Sequence, residues 1–189
     1  MSWNEYLKRT ANYTPRPLLQ RALPLATPKG KALDLGAGAL NDARFLAENG
    51  FIVDAIDSNP EVRAYLPENA PITLTISNIE DFEYPNAAYD LISAQFSLPF
   101  VAPERFISTF QEIVASLAPA GIFCGQFFGP EDDWAGDSAM SFHTEEEIRE
   151  LLSSSEIVSL EESKKSAKTA AGKDKFWHIF NVIARKSQT

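Results

Sequence analysis

The stretch ALDLGAGALND, residues 32–42, joins an apolar run, an acid and two glycines separated by one residue. An apolar run that leads straight into glycines reads as an inner strand followed by a tight loop. Without a β-carbon, Gly36 and Gly38 let backbone N–H groups approach a ligand closely and reach dihedrals that other residues avoid. Outward from this loop, short apolar runs alternate with helix-patterned segments. The runs are KALDLG, FIVDAID, ITLTI, YDLISA and GIFCGQFF, and the first two are almost continuously apolar, as in strands covered on both faces of a parallel sheet. Between them, NDARFLAEN stopping at Gly50, EVRAYL stopping at Pro67 and PERFISTFQEIVASL stopping before APAG are predicted helices. Upstream, NEYLKRTANY and RPLLQRAL read as two short helices, the second starting near Pro17, where proline suits a first turn. Downstream, Thr144 and Glu147 form a capping box that opens EEEIRELL. EIVSLEE and KFWHIFNVIARK then read as strands on either side of a polar, mobile loop, residues 163–175. The pattern predicts a doubly wound α/β sheet closed by a hairpin.

Composition bounds what such a sheet serves. At 189 residues, 44% hydrophobic and 23% charged, the chain suits one well-buried domain. A formal charge of −9 argues against nucleic acid or anionic lipid as a partner. A lone cysteine, Cys124, allows no internal disulfide or cysteine-built zinc site, and its apolar surroundings predict a buried, reduced thiol. MSWNEYLKRT lacks the apolar core of a signal peptide and no run approaches a membrane span, so a cytoplasmic protein is expected.

Open parallel sheets bind ligands beyond the carboxyl ends of their strands. Asp57 closes the second strand, where a carboxylate can accept two hydrogen bonds from a ribose diol. Asn78 and Ile79 follow the third, where an amide and a backbone N–H can read an adenine edge. These describe a pocket for an adenosine-bearing molecule. The dinucleotide fingerprint needs a third glycine at the position of Asn41, which favours an amino-acid tail over a pyrophosphate.

At this point the sequence resembles a known family. LDLGAG, VDAIDSNP, NIEDF, YDLISAQFSLPF and LAPAGIF are similar to successive motifs of the class I S-adenosylmethionine-dependent methyltransferases. More narrowly, YTPRPLLQRAL, MSFHTEEEIRELL and WHIFNVIARK resemble the small methyltransferases grouped with the bacterial tellurite-resistance methyltransferase. The resemblance implies a Rossmann-like seven-stranded sheet in the order 3-2-1-4-5-7-6, strand 7 antiparallel, with helices on both faces. It implies one domain over residues 1–189, with residues 1–30 as a helical lid on a core of 31–189, and S-adenosyl-L-methionine as cofactor. By the same resemblance Gly36, Ala37 and Gly38 hold the methionine part and Asp34 fixes their loop. Asp57 takes the ribose hydroxyls, while Ser58, Asn78 and Ile79 lie at the adenine. Gln95 and Phe96 sit beneath the sulfonium, Arg16 pairs with the cofactor's carboxylate, and Tyr13 helps close the lid. Two positions depart from the pattern. Leu40 replaces a glycine frequent in the family, and Lys164 and Lys165 stand around the place of a histidine carried by the tellurite enzymes.

A sulfonium activates its own methyl group, so rate comes from holding two reactants at attack distance and excluding water, without a metal. A soft nucleophile brings its own lone pair, whereas a hydroxyl or protonated amine needs a base. The candidate bases are His143, beside a helix start, and His178, in an aromatic strand. Each also has a plain reading, as a neighbour of the cap and as a satisfied core histidine. FFGPEDDWAGDSAMSF, residues 127–142, reads either as a substrate lid or as an acidic surface loop with one buried tryptophan. Three functions stay open: a methyltransferase acting on a small-molecule acceptor, such as a soft oxyanion (tellurite) or a thiol; an NAD(P)-dependent oxidoreductase; and a silent S-adenosylmethionine-binding module.

Overall fold

The computed structural model describes residues 2–188; Met1 and Thr189, the ends of the domain expected from the sequence, lie outside the described residues. In chain order the elements are α1 (Trp3–Thr10), α2 (Pro17–Ala22), β1 (Lys31–Leu35), α3 (Asn41–Glu48), β2 (Ile52–Asp57) and β3 (Ile72–Ile76). There follow β4 (Tyr89–Ala94), α4 (Pro103–Ser116), β5 (Leu117–Phe128), α5 (Glu145–Leu151), β6 (Ser155–Lys168) and β7 (Asp174–Lys186). The strands form one sheet in the order β3-β2-β1-β4-β5-β7-β6, the order expected. β1 to β5 pair in parallel, and β7 runs antiparallel to both its neighbours.

Alternation along the inner strands divides the core in two. Ala32, Leu91 and Ile122 pack with Leu19 of α2 and Ala43 and Leu46 of α3. Their chain neighbours Leu33, Ile92 and Phe123 point the other way, to Phe106, Phe110 and Ile113 of α4. Successive strand residues face opposite sides, so both faces of β1 and β4 are covered. That accounts for the almost continuously apolar run of β1. Cys124 is buried in the first core, where burial pushes its thiol up out of the reactive range.

Three local readings are refined. EVRAYL is a 3₁₀ segment, Pro60–Tyr65, rather than an α-helix, because prolines at 60 and 67 leave too few residues for two full turns. Residues 163–168, expected in a mobile loop, continue β6, and the hairpin turn shortens to residues 169–173. β6 is an edge strand with little burial, and lysines on an edge strand prevent pairing with another chain, so its sequence carries no apolar alternation. Leu40, in place of a family glycine, keeps left-handed backbone (φ 60°) as N-cap of α3 and is fully buried. Burying a leucine yields about 1.5–3 kcal/mol, enough to offset the roughly 1–2 kcal/mol that this conformation costs an L-residue. Among the described residues no helix is long and apolar enough to cross a membrane.

Candidate functional site

From β1 the chain passes to β2 on one flank and later returns as β4 on the other. Such a reversal opens a crevice at the carboxyl ends of the strands. A cleft of about 960 Å³ lies there, near the upper end of the roughly 300–1,000 Å³ of small-molecule sites.

On the β1–β3 side the loop after β1 is left-handed at Gly36 (φ 71°) and Gly38 (φ 52°). A β-carbon on Gly36 would lie 2.4 Å from the Ser97 Cβ, whereas one on Gly38 would meet nothing within 4 Å. The first glycine is therefore required by packing and the second faces open cleft. The N–H groups of Gly36 and Ala37 donate to the Ile56 carbonyl at 2.8 and 2.9 Å. The Gly38 N–H donates to Asp57 Oδ2 at 2.8 Å, and Asp57 Oδ1 accepts from the Asn59 N–H at 2.9 Å. These bonds fasten the loop to the end of β2 and fix the Asp57 carboxylate, which keeps lone pairs for further donors. Ser58, Asn78 and Ile79 line the same side. The Asn78 amide donates to Asp81 Oδ2 at 2.8 Å, and Arg105 holds the other Asp81 oxygen at 2.6 Å.

Beneath the loop, Asp34 is 2% exposed and its Oδ2 has no hydrogen-bond partner; the Ser97 Oγ is likewise buried without one. Burial, then the charges of Asp42 and Asp57, push the Asp34 carboxyl well above the carboxylate range, and burial raises Asp42 as well. Unfolded, Asp34 ionises near pH 4; folded, it resists ionisation, so stability falls as pH rises from about 4 through its raised native value. Asp34→Asn is expected to remove the Asp34 share of this slope, leaving that of Asp42. Melting curves at pH 5 and 8 should show the variant gaining on the parent as pH rises, and a pH-independent difference would exclude the assignment.

In the middle of the cleft, Gln95 and Phe96 follow β4. The Gln95 Nε2 donates to Ser93 Oγ at 3.2 Å and to the Cys124 carbonyl at 3.3 Å, and Oε1 accepts from Gln126 Nε2 at 3.1 Å. The Gln126 Oε1 accepts from the Phe96 N–H at 3.0 Å. This network holds Phe96 at φ 58°, a conformation rare outside glycine. Arg16 lies with its guanidinium 5.1 Å from the Phe96 ring centre, and its backbone N–H donates to Asp42 Oδ1 at 2.8 Å. Tyr13 is exposed at the rim. α1 crosses the mouth, with Asn4 accepting from Asn59 at 3.2 Å at one end and Arg9 donating to the Ala170 carbonyl at 3.1 Å at the other.

Neither histidine lines the cleft. The His143 ring packs 4.1 Å from that of Phe106, on the α4 side, and burial lowers its pKa. The His178 Nδ1 accepts from the Glu131 N–H at 3.1 Å, so the ring proton sits on Nε2, which donates to Glu162 at 2.8 Å. Its lone pair is engaged, and the ring belongs to the face of β7 opposite the cleft.

That face assignment exposes residues the sequence reading missed. Lys175, Trp177 and Ile179 line the cleft, while Phe176 and His178, between them, do not. The Lys175 ammonium lies 3.6, 4.2 and 4.9 Å from the ring centres of Trp177, Trp134 and Phe128. It pairs with Asp132 at 2.5 Å, the two side chains being 2% and 0% exposed. Asp132 also accepts from the Trp134 and His178 N–H groups at 3.0 and 3.1 Å. The segment 129–142 thus supplies an aromatic cleft wall through Trp134, anchored by a buried acid. Period-two alternation in KFWHIF was the available signal.

Residues 32–121 match a family model described as a methyltransferase domain. The chain is 32% identical over 130 residues to the carboxy-S-adenosyl-L-methionine synthase of Aeromonas salmonicida, an alignment covering 62% of this chain and 52% of that protein. The chain therefore spans about half the length of this curated relative. Its fold is similar to that of TehB from Haemophilus influenzae (TM-score 0.79, 19% identity, 98% of this chain and 68% of that one). It is also similar to Burkholderia thailandensis 1,6-didemethyltoxoflavin-N1-methyltransferase with bound 1,6-didemethyltoxoflavin and S-adenosylhomocysteine (TM-score 0.67, 20% identity, 99% and 91%). Residues 32–121, which carry the glycine loop, Asp57 and the β4 site residues, are thus similar to a methyltransferase domain, and the seven-stranded fold around them is similar to that of these two solved structures.

Proposed function

We propose that the chain transfers a methyl group from S-adenosylmethionine to a small-molecule acceptor. The observation that carries this reading is the acidic floor under the glycine loop, made by Asp34, Asp42 and Asp57. The Asp42 and Asp57 carboxyl groups that line the cleft there disfavour a pyrophosphate, and with it a nicotinamide dinucleotide, and favour a ligand bearing an ammonium or sulfonium. Ser97 lines the cleft with a hydroxyl that has no protein partner, which suits a polar amino-acid tail. Gly38 leaves room for that tail, Asp57 takes the ribose, Ser58, Asn78 and Ile79 frame the adenine, Arg16 takes the tail's carboxylate, and Gln95 and Phe96 lie below the reacting centre. Asp57→Ala is expected to weaken S-adenosylhomocysteine binding by about 1.5–3 kcal/mol, the scale of hydrogen bonds to a charged group; unchanged affinity by calorimetry would remove the ribose assignment.

When bound, S-adenosylmethionine supplies a methyl group activated by its sulfonium. The chain's own work is to align the acceptor and exclude water, with α1 and Tyr13 of the N-terminal lid closing the mouth. With both histidines outside the cleft, the reading favours an acceptor that arrives with a free lone pair, a thiolate or a soft oxyanion such as tellurite, which the likeness to TehB also brings forward. One domain in the cytoplasm, with Cys124 reduced, completes the proposal. Incubation with methyl-labelled S-adenosylmethionine and a panel of thiols, tellurite and selenite, followed by mass analysis, is expected to find label in an acceptor. Binding of NADH with no binding of S-adenosylhomocysteine would overturn the reading.

A further inference from the structure

The cleft divides into two halves of opposite charge. Asp42, Asp57 and Glu80 line the half above β1 to β3, whereas Lys165, Lys168, Lys173 and Lys175 line the half above β6 and β7, opposed by Asp133 and Asp174. Two of these lysines are neutralised, Lys168 by Asp174 at 2.8 Å and Lys175 by Asp132. Among the described residues Lys165 and Lys173 have no carboxylate within ion-pair reach. In a chain of charge −9, uncompensated cations on one wall of a cleft mark a place for an anion.

The same half is built of aromatic rings. The Trp177 ring centre lies 6.2 Å from that of Phe96, 5.7 Å from Phe128 and 5.6 Å from Trp134. The rings are held before any ligand arrives: Phe96 through Gln126, Trp177 through its indole N–H on the Ala167 carbonyl at 3.3 Å, and Trp134 through Asp132. An aromatic box is ordinarily a receptor for a cationic ligand. This box already holds Lys175, whose charge repels a second cation. Lys165 stands directly opposite Trp177 in the β6–β7 register, and directly opposed side chains lie within contact range. A ring lying on Trp177 therefore presents its edge to the Lys165 ammonium.

We infer that the β6–β7 half of the cleft is the acceptor subsite and that it takes a planar aromatic molecule bearing a carboxylate or similar anion, its ring against Trp177 and Phe96 and its charge at Lys165. This rests on the methyl-transfer reading and narrows the acceptor from any soft nucleophile to an aromatic anion. Neither a bare oxyanion nor an aliphatic acid uses the rings, and a neutral ring leaves Lys165 unpaired.

The probes are 4-mercaptobenzoate, 4-methylthiophenol, 3-mercaptopropionate and tellurite, each titrated into the protein saturated with S-adenosylhomocysteine, with tryptophan fluorescence and calorimetry as readouts. The ring with the anion is expected to bind about tenfold or more tightly than the neutral ring or the aliphatic acid, the scale of one charge-assisted hydrogen bond. Lys165→Ala should erase the advantage over 4-methylthiophenol, and Trp177→Ala the advantage over 3-mercaptopropionate, with S-adenosylhomocysteine affinity retained in both. With S-adenosylmethionine, the thiolate of 4-mercaptobenzoate should form the S–CH₃ bond as the methyl–sulfonium bond breaks, its electron pair leaving on S-adenosylhomocysteine. Failure to bind S-adenosylhomocysteine would overturn the methyltransferase reading itself. Binding of it without preference for the aromatic anion, or a preference untouched by Lys165→Ala, would overturn this inference alone.

Discussion

Lys175→Met is expected to lower the stability of the fold by about 3–5 kcal/mol, the cost of removing one partner from a buried ion pair. The loss would come from the carboxylate left behind: Asp132 is fully buried, and without the ammonium its charge would rest on two backbone N–H groups alone. The pair is not itself a large source of stability. Burial pulls the Lys175 pKa below its ordinary value in spite of the adjacent acid, so desolvation of the ammonium outweighs its attraction to Asp132. A double variant, Lys175→Met with Asp132→Asn, should therefore recover part of the loss. The amide oxygen can still accept from one of the two N–H groups, Trp134 or His178, which now use separate carboxylate oxygens, and a thioether fits an aromatic cage. Urea denaturation of the parent, both singles and the double decides the matter. If the double is as unstable as Lys175→Met, the buried charge is not the cause.

The ion pair also shows where sequence reading stops. Lys175 sits in a polar stretch, KDK, with nothing to separate it from the exposed Lys173 two residues away. Its partner Asp132 is 43 residues upstream, and the two meet because β7 lies antiparallel beside β5 and the segment after β5 folds back over the start of β7. Contacts of that kind leave no local pattern. The glycine loop is the opposite case. Gly36, Gly38 and Asp57 declare themselves because backbone approach and a strand-end carboxylate are local requirements, met by residue type and spacing within one β–α–β unit. Core strands were legible for the same reason, since two covered faces demand unbroken apolar runs. β6 was legible only in part because an exposed edge strand demands no such thing. His178 illustrates a signal that is only half local: period-two alternation puts it and Trp177 on opposite faces, and the fold decides that Trp177 has the cleft side.

Gly38→Val is expected to abolish cofactor binding, while Gly36→Ala, a smaller change two residues away, is expected to damage the fold instead. Both glycines are left-handed, so each substitution carries roughly 1–2 kcal/mol of backbone strain. Their surroundings differ. A new β-carbon at position 36 lies 2.4 Å from the Ser97 Cβ, and since Gly36 is tied by its N–H to the Ile56 carbonyl at 2.8 Å, the loop cannot yield without releasing β2. At position 38 the β-carbon enters open space, so the valine methyl groups project into the volume assigned to the amino-acid tail. The fold has little to lose there and the ligand everything. Melting temperatures and calorimetric titration with S-adenosylhomocysteine should separate the two variants: Gly38→Val folded and unable to bind, Gly36→Ala strongly destabilised. Undiminished affinity in Gly38→Val would mean that the ligand does not lie over this loop, and the assignment of the whole β1–β3 half would fall with it.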